Sequence, residues 1–351
     1  MKTKKKRKNK ILYGIFGLVI LGGLFYLAYA KGIINFKKEE KPKGEKPPIV
    51  EKTLQIIDEN SKTRPYAVMI NNHGAARAHH TGLQDAYIIY ELIVEGGITR
   101  YLALFKDQDT TKIGSVRSAR HYFLDYALEN DAIYVHWGWS PQAQTDIKTL
   151  KINNINGLTY EGKYFYRDRS LGVASEHTGF TKMEMLDEAV TKLKYNRDVK
   201  GSTLLNYSID EVDLSTIEDA KEATKVVIKY SNSLTDKYEY DATNKVYKRF
   251  VNNKVHKDDI TGDQYTFKNV ITYQIKNSLI SGDEKGRQDF KNIGNGEGYY
   301  ISNGYAVPIT WSKDSRSAQT IYKYKNGKEI DVNDGNTFIQ IQPLNQTLEI
   351  N

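Results

Sequence analysis

Ile88-Ile-Tyr-Glu-Leu-Ile-Val-Glu-Gly-Gly-Ile-Thr-Arg-Tyr-Leu-Ala-Leu-Phe105 decides the fold. β-Branched and aromatic residues fill both arms, and Gly96-Gly97 between them has the composition of a two-residue type I′ turn. A hairpin of strands 88–94 and 98–105 is predicted. In that register Glu95 pairs with Ile98 and Ile93 with Arg100, which sets Glu91, Glu95 and Arg100 on one face. Ile89, Ile93, Ile98 and Leu102 share that face. Two acids and one base among aliphatic neighbours read either as an ion-pair network closing the hairpin or as an acid/base pair or polar ligand clamp.

On the N-terminal side of the hairpin, Tyr66 to Ile70 reads as a short buried strand. On its C-terminal side, Ser118 to Glu129 has a helical apolar stripe with Ser118 as N-cap, and Ala132 to Trp137 returns as a strand. Ser140-Pro141 opens a second helix, and Thr181-x-x-Glu184 forms a capping box for a third that runs to about Leu193. Residues 63–200 are therefore expected to form a mixed α/β domain. Beyond Lys200 the chain changes to short Val, Ile, Tyr and Thr runs, including Lys225 to Ser231, Lys245 to Val251 and Val270 to Ile275, broken by Asn- and Gly-rich turns. Residues 201–351 read as a β-rich domain. The predicted class is α+β, with these two domains following one N-terminal transmembrane helix.

That helix is read from the first thirty residues. Met1 to Lys10 carries seven cations and no anion, and Ile11 to Ala30 is a run of 20 residues without charge. As a helix such a run spans about 30 Å, the thickness of a bilayer core. Cations on its N-terminal flank place residues 1–10 in the cytoplasm, 11–30 in the cell membrane as a single-pass anchor, and the body outside. Ala28-Tyr29-Ala30 also fits a cleavage site, but signal-peptide cores usually run about 7 to 15 residues. Residues 31–62, rich in Lys, Glu and Pro, read as a stalk linker.

Charge and cysteine content exclude several functions. Residues 1–50 hold 13 Lys/Arg against 3 Asp/Glu, which leaves 38 against 40 in the remaining 301 residues. A nearly neutral body lacks the cationic surface of a nucleic-acid-binding domain. With no Cys, disulfide frameworks, thiolate metal sites, cysteine nucleophiles and the lipid-acceptor residue of a lipoprotein are all absent. An extracytoplasmic body is expected to use no ATP or NAD cofactor. Gly157 to Lys163 nearly writes a phosphate-binding loop but continues with Tyr164 in place of the Ser or Thr that holds Mg²⁺. His73, His79 and His80 crowd one loop without the H-E-x-x-H spacing, so no metal site is predicted.

Chemistry is most plausible in the first domain, which holds six of the seven His residues. The segment Ile113-Gly-Ser-Val-Arg-Ser-Ala-Arg120 places Arg117, Ser118 and Arg120 where a loop is expected to enter a helix, a favourable place for phosphate or carboxylate. Pairing of those arginines with Glu91, Glu95 or Asp125 is the structural alternative. His136 ends a predicted strand, where α/β proteins gather ligand residues, although a lone strand His also serves as a hydrogen-bonded core residue. The candidate ligand-binding residues are Arg100, Arg117, Ser118, Arg120, Glu91, Glu95 and His136.

The motifs Ala67-Val-Met-Ile-Asn-Asn-His73, Glu95-Gly-Gly-Ile-Thr-Arg100, Gly114-Ser-Val-Arg-Ser-Ala-Arg120, Tyr134-Val-His136 and Tyr166-Arg167-Asp168 follow one another in a specific order. With Glu176-His177, Val307-Pro-Ile-Thr-Trp311 and Gly335-Asn-Thr-Phe-Ile-Gln-Ile341, they resemble the YerB-like family of bacterial proteins described as lipoproteins. The resemblance runs from about Arg64 to Pro343. It implies a membrane-tethered, extracytoplasmic protein of Gram-positive type with two domains of unknown function, and it implies no reaction. Without a lipid-acceptor Cys, the tether here is expected to be the helix itself.

Three functions follow as expectations. The first is binding of an anionic envelope ligand, such as a phosphate-containing wall polymer or lipid head group, through the Arg cluster. The second is a hydrolase or transferase acting on wall glycan with Glu91, Glu95 and His136. Residues four apart on a strand lie about 13 Å apart, too far for the roughly 5 to 9.5 Å of paired glycosidase carboxylates. The third is a scaffold whose Tyr-rich β domain contacts an envelope protein.

Overall fold

The computed structural model describes residues 23, 24, 26–33 and 52–351. Gly23, Leu24 and residues 26–30 are helical. The basic tail at 1–10 and most of the predicted anchor at 11–30 lie outside the described residues. Among the described residues no helix is long and apolar enough to cross a membrane. The linker expected at 31–62 ends earlier than its composition implies, because the compact unit begins at Lys52. Leu54 and Ile57 are buried in its core, and the Asp334 carboxylate accepts the backbone N–H groups of Gln55 at 2.8 Å and Ile56 at 3.0 Å. Two apolar anchors and one acceptor pin a stretch that is polar elsewhere.

The body is organised around an eleven-stranded mixed sheet. Its N-terminal strands are β1 (Tyr66–Asn71), β2 (Ile88–Ile93), β3 (Thr99–Phe105), β4 (Ile133–His136) and β5 (Asn154–Asn156). Every residue of β1, β2 and β3 is buried, as near-continuous apolar runs covered on both faces require. A second, six-stranded sheet contains β6 (Lys225–Lys229), β7 (Thr235–Asp241) and β8 (Val246–Val251). The chain then returns to the large sheet with β9 (Asn269–Ile275), β10 (Gly294–Ser302), β11 (Tyr305–Lys313) and β12 (Thr337–Pro343).

The two stretches expected as separate domains share this sheet. β12 lies between β9 and β2, parallel to both, and pairs Thr337 with Ile88 and Gln340 with Glu91. Strand alternation alone carries no signal for such a long-range pairing, since any buried β edge satisfies the same pattern.

The hairpin register differs from expectation by one residue. Ile93 faces Thr99, Leu92 faces Arg100 and Glu91 faces Tyr101. Glu95, Gly96 and Gly97 form a three-residue loop with both glycines at positive φ, closed by the Val94 N–H donating to the Ile98 carbonyl at 2.7 Å. One extra loop residue reverses the facing of the second arm. Arg100 therefore points away from Glu91, and the face expected to unite them does not exist.

The first predicted helix also starts later. A 3₁₀ turn at His121–Phe123 leads into α1 (Leu124–Glu129), and residues 115–120 are extended. Their backbone is engaged on both sides: Arg117 N–H donates to Met69 O at 2.8 Å, Val116 N–H to Gly179 O at 2.7 Å, Ala119 N–H to Gly138 O at 2.9 Å, and Arg117 O accepts Trp137 N–H at 2.9 Å. Sheet-like partners outcompete the weak helix preference of Ser and Val. The Ser118 hydroxyl donates to Trp137 O rather than capping a helix. By contrast, α2 (Pro141–Thr149) has Ser140 as its N-cap and Pro at its first position. The third helix, α3 (Met183–Leu193), forms without the capping box, because Thr181 donates its hydroxyl to Tyr164 O.

Candidate functional site

Glu91 and His136, two of the predicted site residues, are core groups. Glu91 lies between the sheets with no exposed surface. Its Oε1 accepts Asn72 Nδ2 at 3.2 Å and Thr99 Oγ1 at 2.5 Å, and its Oε2 accepts Arg249 Nη2 at 2.8 Å and Gln340 Nε2 at 3.1 Å. Arg249 also donates to Asp236 at 2.6 Å, and the rings of Tyr101, Tyr238 and Phe338 surround its guanidinium. Burial, then the charge of Asp236, holds the Glu91 carboxyl well above the usual carboxylate range. Two carboxylates facing one guanidinium in a dry core need one proton between them. No substrate reaches Glu91. The fully buried His136 is 2.8 Å from Gly138 O and 3.1 Å from Asn154 Oδ1. Burial lowers its pKa, against the pull of those two acceptors.

A chain of hydrogen bonds runs on from Arg249. His80 Nε2 lies 2.6 Å from Asn71 O, His80 Nδ1 2.8 Å from His256 Nε2, and His256 Nδ1 2.8 Å from Arg249 Nη1. The carbonyl at one end and the guanidinium at the other fix both tautomers, each histidine donating from Nε2 and accepting at Nδ1. An imidazolium has no acceptor to offer, so the chain requires both to be neutral. Burial pushes His80 down to about 3 and His256 well below its usual value, the latter helped by the Arg249 charge.

Arg100, Arg117, Ser118, Arg120 and Glu95 do come together. Arg120 Nε donates to Glu95 Oε1 at 2.5 Å, Arg100 Nη2 lies 3.8 Å from Glu95 Oε2, and Arg287 Nε also sits 3.8 Å from Glu95. Arg100 Nη1 donates to the Ser118 carbonyl, while its buried Nε has no partner. Burial and then the Arg120 charge lower Arg100 to about 9, with Glu95 opposing. Burial likewise lowers Arg117, with Glu176 opposing and Arg120 adding to the shift. Burial alone would raise Glu95, yet the Arg120 bond and the Arg120 and Arg100 charges hold it below the usual range.

In front of this cluster, Arg117 and Ser118 line a cleft of about 500 Å³ with Trp137, Trp139, Arg167 and Glu176. It opens beyond the C-terminal ends of the parallel strands β1, β4 and β5, the ligand position of open α/β sheets. The Arg167 guanidinium stacks 4.3 Å from the Trp137 ring and bonds Glu161 at 2.9 Å. Trp137 is seated against Gly157 and Gly179, where a Cβ would come within 2.4 and 2.6 Å of its ring. Gly157 thus serves ring packing, in keeping with the incomplete phosphate-loop motif. Trp139 is half-buried and tilted over His136 at 5.5 Å, and the fully buried His136 does not itself line the cleft. Beside the cleft, His177 Nδ1 lies 2.8 Å from Asn71 Nδ2, and the His177 ring stacks on His73.

Two models of a family described as "Protein of unknown function (DUF3048)" match, the N-terminal domain over residues 53–196 and the C-terminal domain over 226–339. "Putative lipoprotein YerB" of Bacillus subtilis (strain 168) is 31% identical over 296 residues, covering 83% of this chain and 84% of its own. The chain belongs to the YerB-like family. The crystal structure of the Bacillus subtilis YerB protein superposes with a TM-score of 0.71 at 28% identity, covering 82% of this chain and 94% of that one. The YerB-like fold is thus α+β, with two family domains that share the eleven-stranded sheet. Sequence reading gave no role to Trp137, Trp139, Arg167 or Glu176, although Arg167 and Glu176 fall in the ordered family motifs. Their convergence brings residues 137–139 against residues 167–176, 28 to 39 positions further along the chain.

Proposed function

We propose that the protein binds an anionic envelope ligand in the cleft lined by Arg117 and Arg167, while its N-terminal segment tethers it to the outer face of the cell membrane. The pairing of Arg100 and Arg120 with the one carboxylate of Glu95, next to an Arg117 that has only Glu176 at 3.8 Å, carries the reading. An anion placed at Arg117 offsets that excess of positive charge and accepts bidentate bonds. The tether rests on the charge-free run at 11–30 and on the lipoprotein description of the Bacillus subtilis relative. Wall-glycan hydrolysis by Glu91, Glu95 and His136 is not favoured, because Glu91 and His136 are buried core groups. In the Arg117→Ala/Arg167→Ala double variant, retention on purified teichoic-acid-bearing wall is expected to fall at least tenfold with unchanged thermal unfolding. Undiminished retention refutes the reading.

A further inference from the structure

The charge balance and the aromatic wall of the cleft define its ligand more narrowly, given that it binds anions. Five guanidiniums meet at or behind it: Arg100, Arg117, Arg120, Arg167 and Arg287. Four carboxylates touch them. Glu95 serves Arg100 and Arg120, Glu176 lies 3.8 Å from Arg117, Glu161 2.9 Å from Arg167, and Asp283 2.6 Å from Arg287. One positive charge is left over, on the Arg100 and Arg120 pair that shares Glu95 and whose Arg120 charge acts on Arg117. A single negative charge neutralises it, whereas a pyrophosphate meets the Glu176 carboxylate with charge to spare.

The remaining surface is not that of a bare phosphate site. Trp139 presents a half-buried ring on a rigid support, with the Ala119 N–H donating to Gly138 O and the Ser140 N–H to Ala119 O on either side of it, and with His136 behind it. Leu158, 64% exposed, stands on the same cleft. An indole face attracts the electropositive C–H edge of a sugar ring, as it does the edge of another aromatic ring. The volume of about 500 Å³ fits a small-molecule pocket and exceeds what one phosphate fills. Glu176 and the Ser118 hydroxyl supply polar partners of the kind that sugar hydroxyls use.

We infer that the cleft recognises a glycan unit carrying one negative charge, its ring against Trp139 and its acidic group at Arg117 and Arg167. A sugar phosphodiester and a uronic acid share that chemistry. The test titrates four probes by calorimetry: glucose 6-(methyl phosphate), a hyaluronan tetrasaccharide, chitotetraose and inorganic pyrophosphate. The acidic sugars are expected to bind at least tenfold more tightly than chitotetraose or pyrophosphate, and whichever of the two binds more tightly identifies the acid group. Trp139→Ala is expected to weaken the acidic sugars at least tenfold, and Trp139→Phe, which keeps a ring, less than threefold. Pyrophosphate binding that equals the sugars and ignores Trp139→Ala overturns the glycan inference and leaves the anion reading standing. Absence of binding by every charged probe overturns both.

Discussion

Replacing Arg249 with Met is expected to lower the free energy of unfolding by about 3–5 kcal/mol, the usual result of removing one partner from a buried ion pair. Arg249, Glu91 and Asp236 are fully buried, and removing the guanidinium leaves two carboxyl groups and the His256 acceptor without their shared donor. Glu91→Gln is expected to behave differently. Its carboxyl is held toward the protonated form by burial and by Asp236, so a neutral isostere is expected to cost less than about 1.5 kcal/mol. Urea unfolding of the two variants checks both expectations. A mild Arg249→Met and a severe Glu91→Gln would mean that Glu91 is ionised and that the proton count proposed for this core is wrong.

The second large effect is on acid stability. His80 and His256 are neutral in the folded chain, with His80 lowered to about 3 from an ordinary 6.5. Below pH 6.5 the unfolded chain takes up protons that the folded chain refuses, so stability is full above that pH and declines as pH falls through it. For His80 alone the loss between pH 6.5 and pH 5 is about 2 kcal/mol. His256 and His136, whose pKa burial also lowers, act in the same direction, while Glu91, held protonated in the folded chain, offsets one histidine's share and leaves the net loss toward low pH. Free carboxylates titrate mainly below this window, which separates the histidine contribution from general acid unfolding. Urea midpoints measured at pH 7 and pH 5 are expected to differ in that sense, and equal midpoints contradict a neutral histidine chain.

These networks explain why the sequence was legible in one respect and opaque in another. Strand positions followed from composition: β1, β3, β4, β8 and β9 lie within a residue or two of their expected runs, because local alternation and β-branched content reflect the pleat directly. Contacts between distant segments left no such trace. Arg249 sits in Val246–Val251, a half-exposed strand by its pattern, and only the packing of the second sheet on Glu91 shows why its guanidinium is buried. The hairpin face failed because a single additional loop residue at Glu95–Gly97 changed the register. Arg100, Arg117, Ser118, Arg120 and Glu95 did converge, but through an extended segment pinned between β1 and β4 rather than through a helix start. Local propensity cannot register hydrogen-bond partners that arrive from elsewhere in the chain.

The most direct test of the account follows the three tryptophans by ¹⁵N-edited NMR of their indole N–H groups while the hyaluronan tetrasaccharide is added. Trp137 and Trp139 line the cleft, whereas Trp311 is a buried residue of β11. The Trp137 and Trp139 resonances are expected to shift in a saturable manner and Trp311 to stay in place, with the shifts abolished in Arg117→Ala/Arg167→Ala. Saturable shifts confined to Trp311, or shifts at Trp137 and Trp139 that survive the double substitution, would contradict an anion-binding cleft at the ends of the parallel strands.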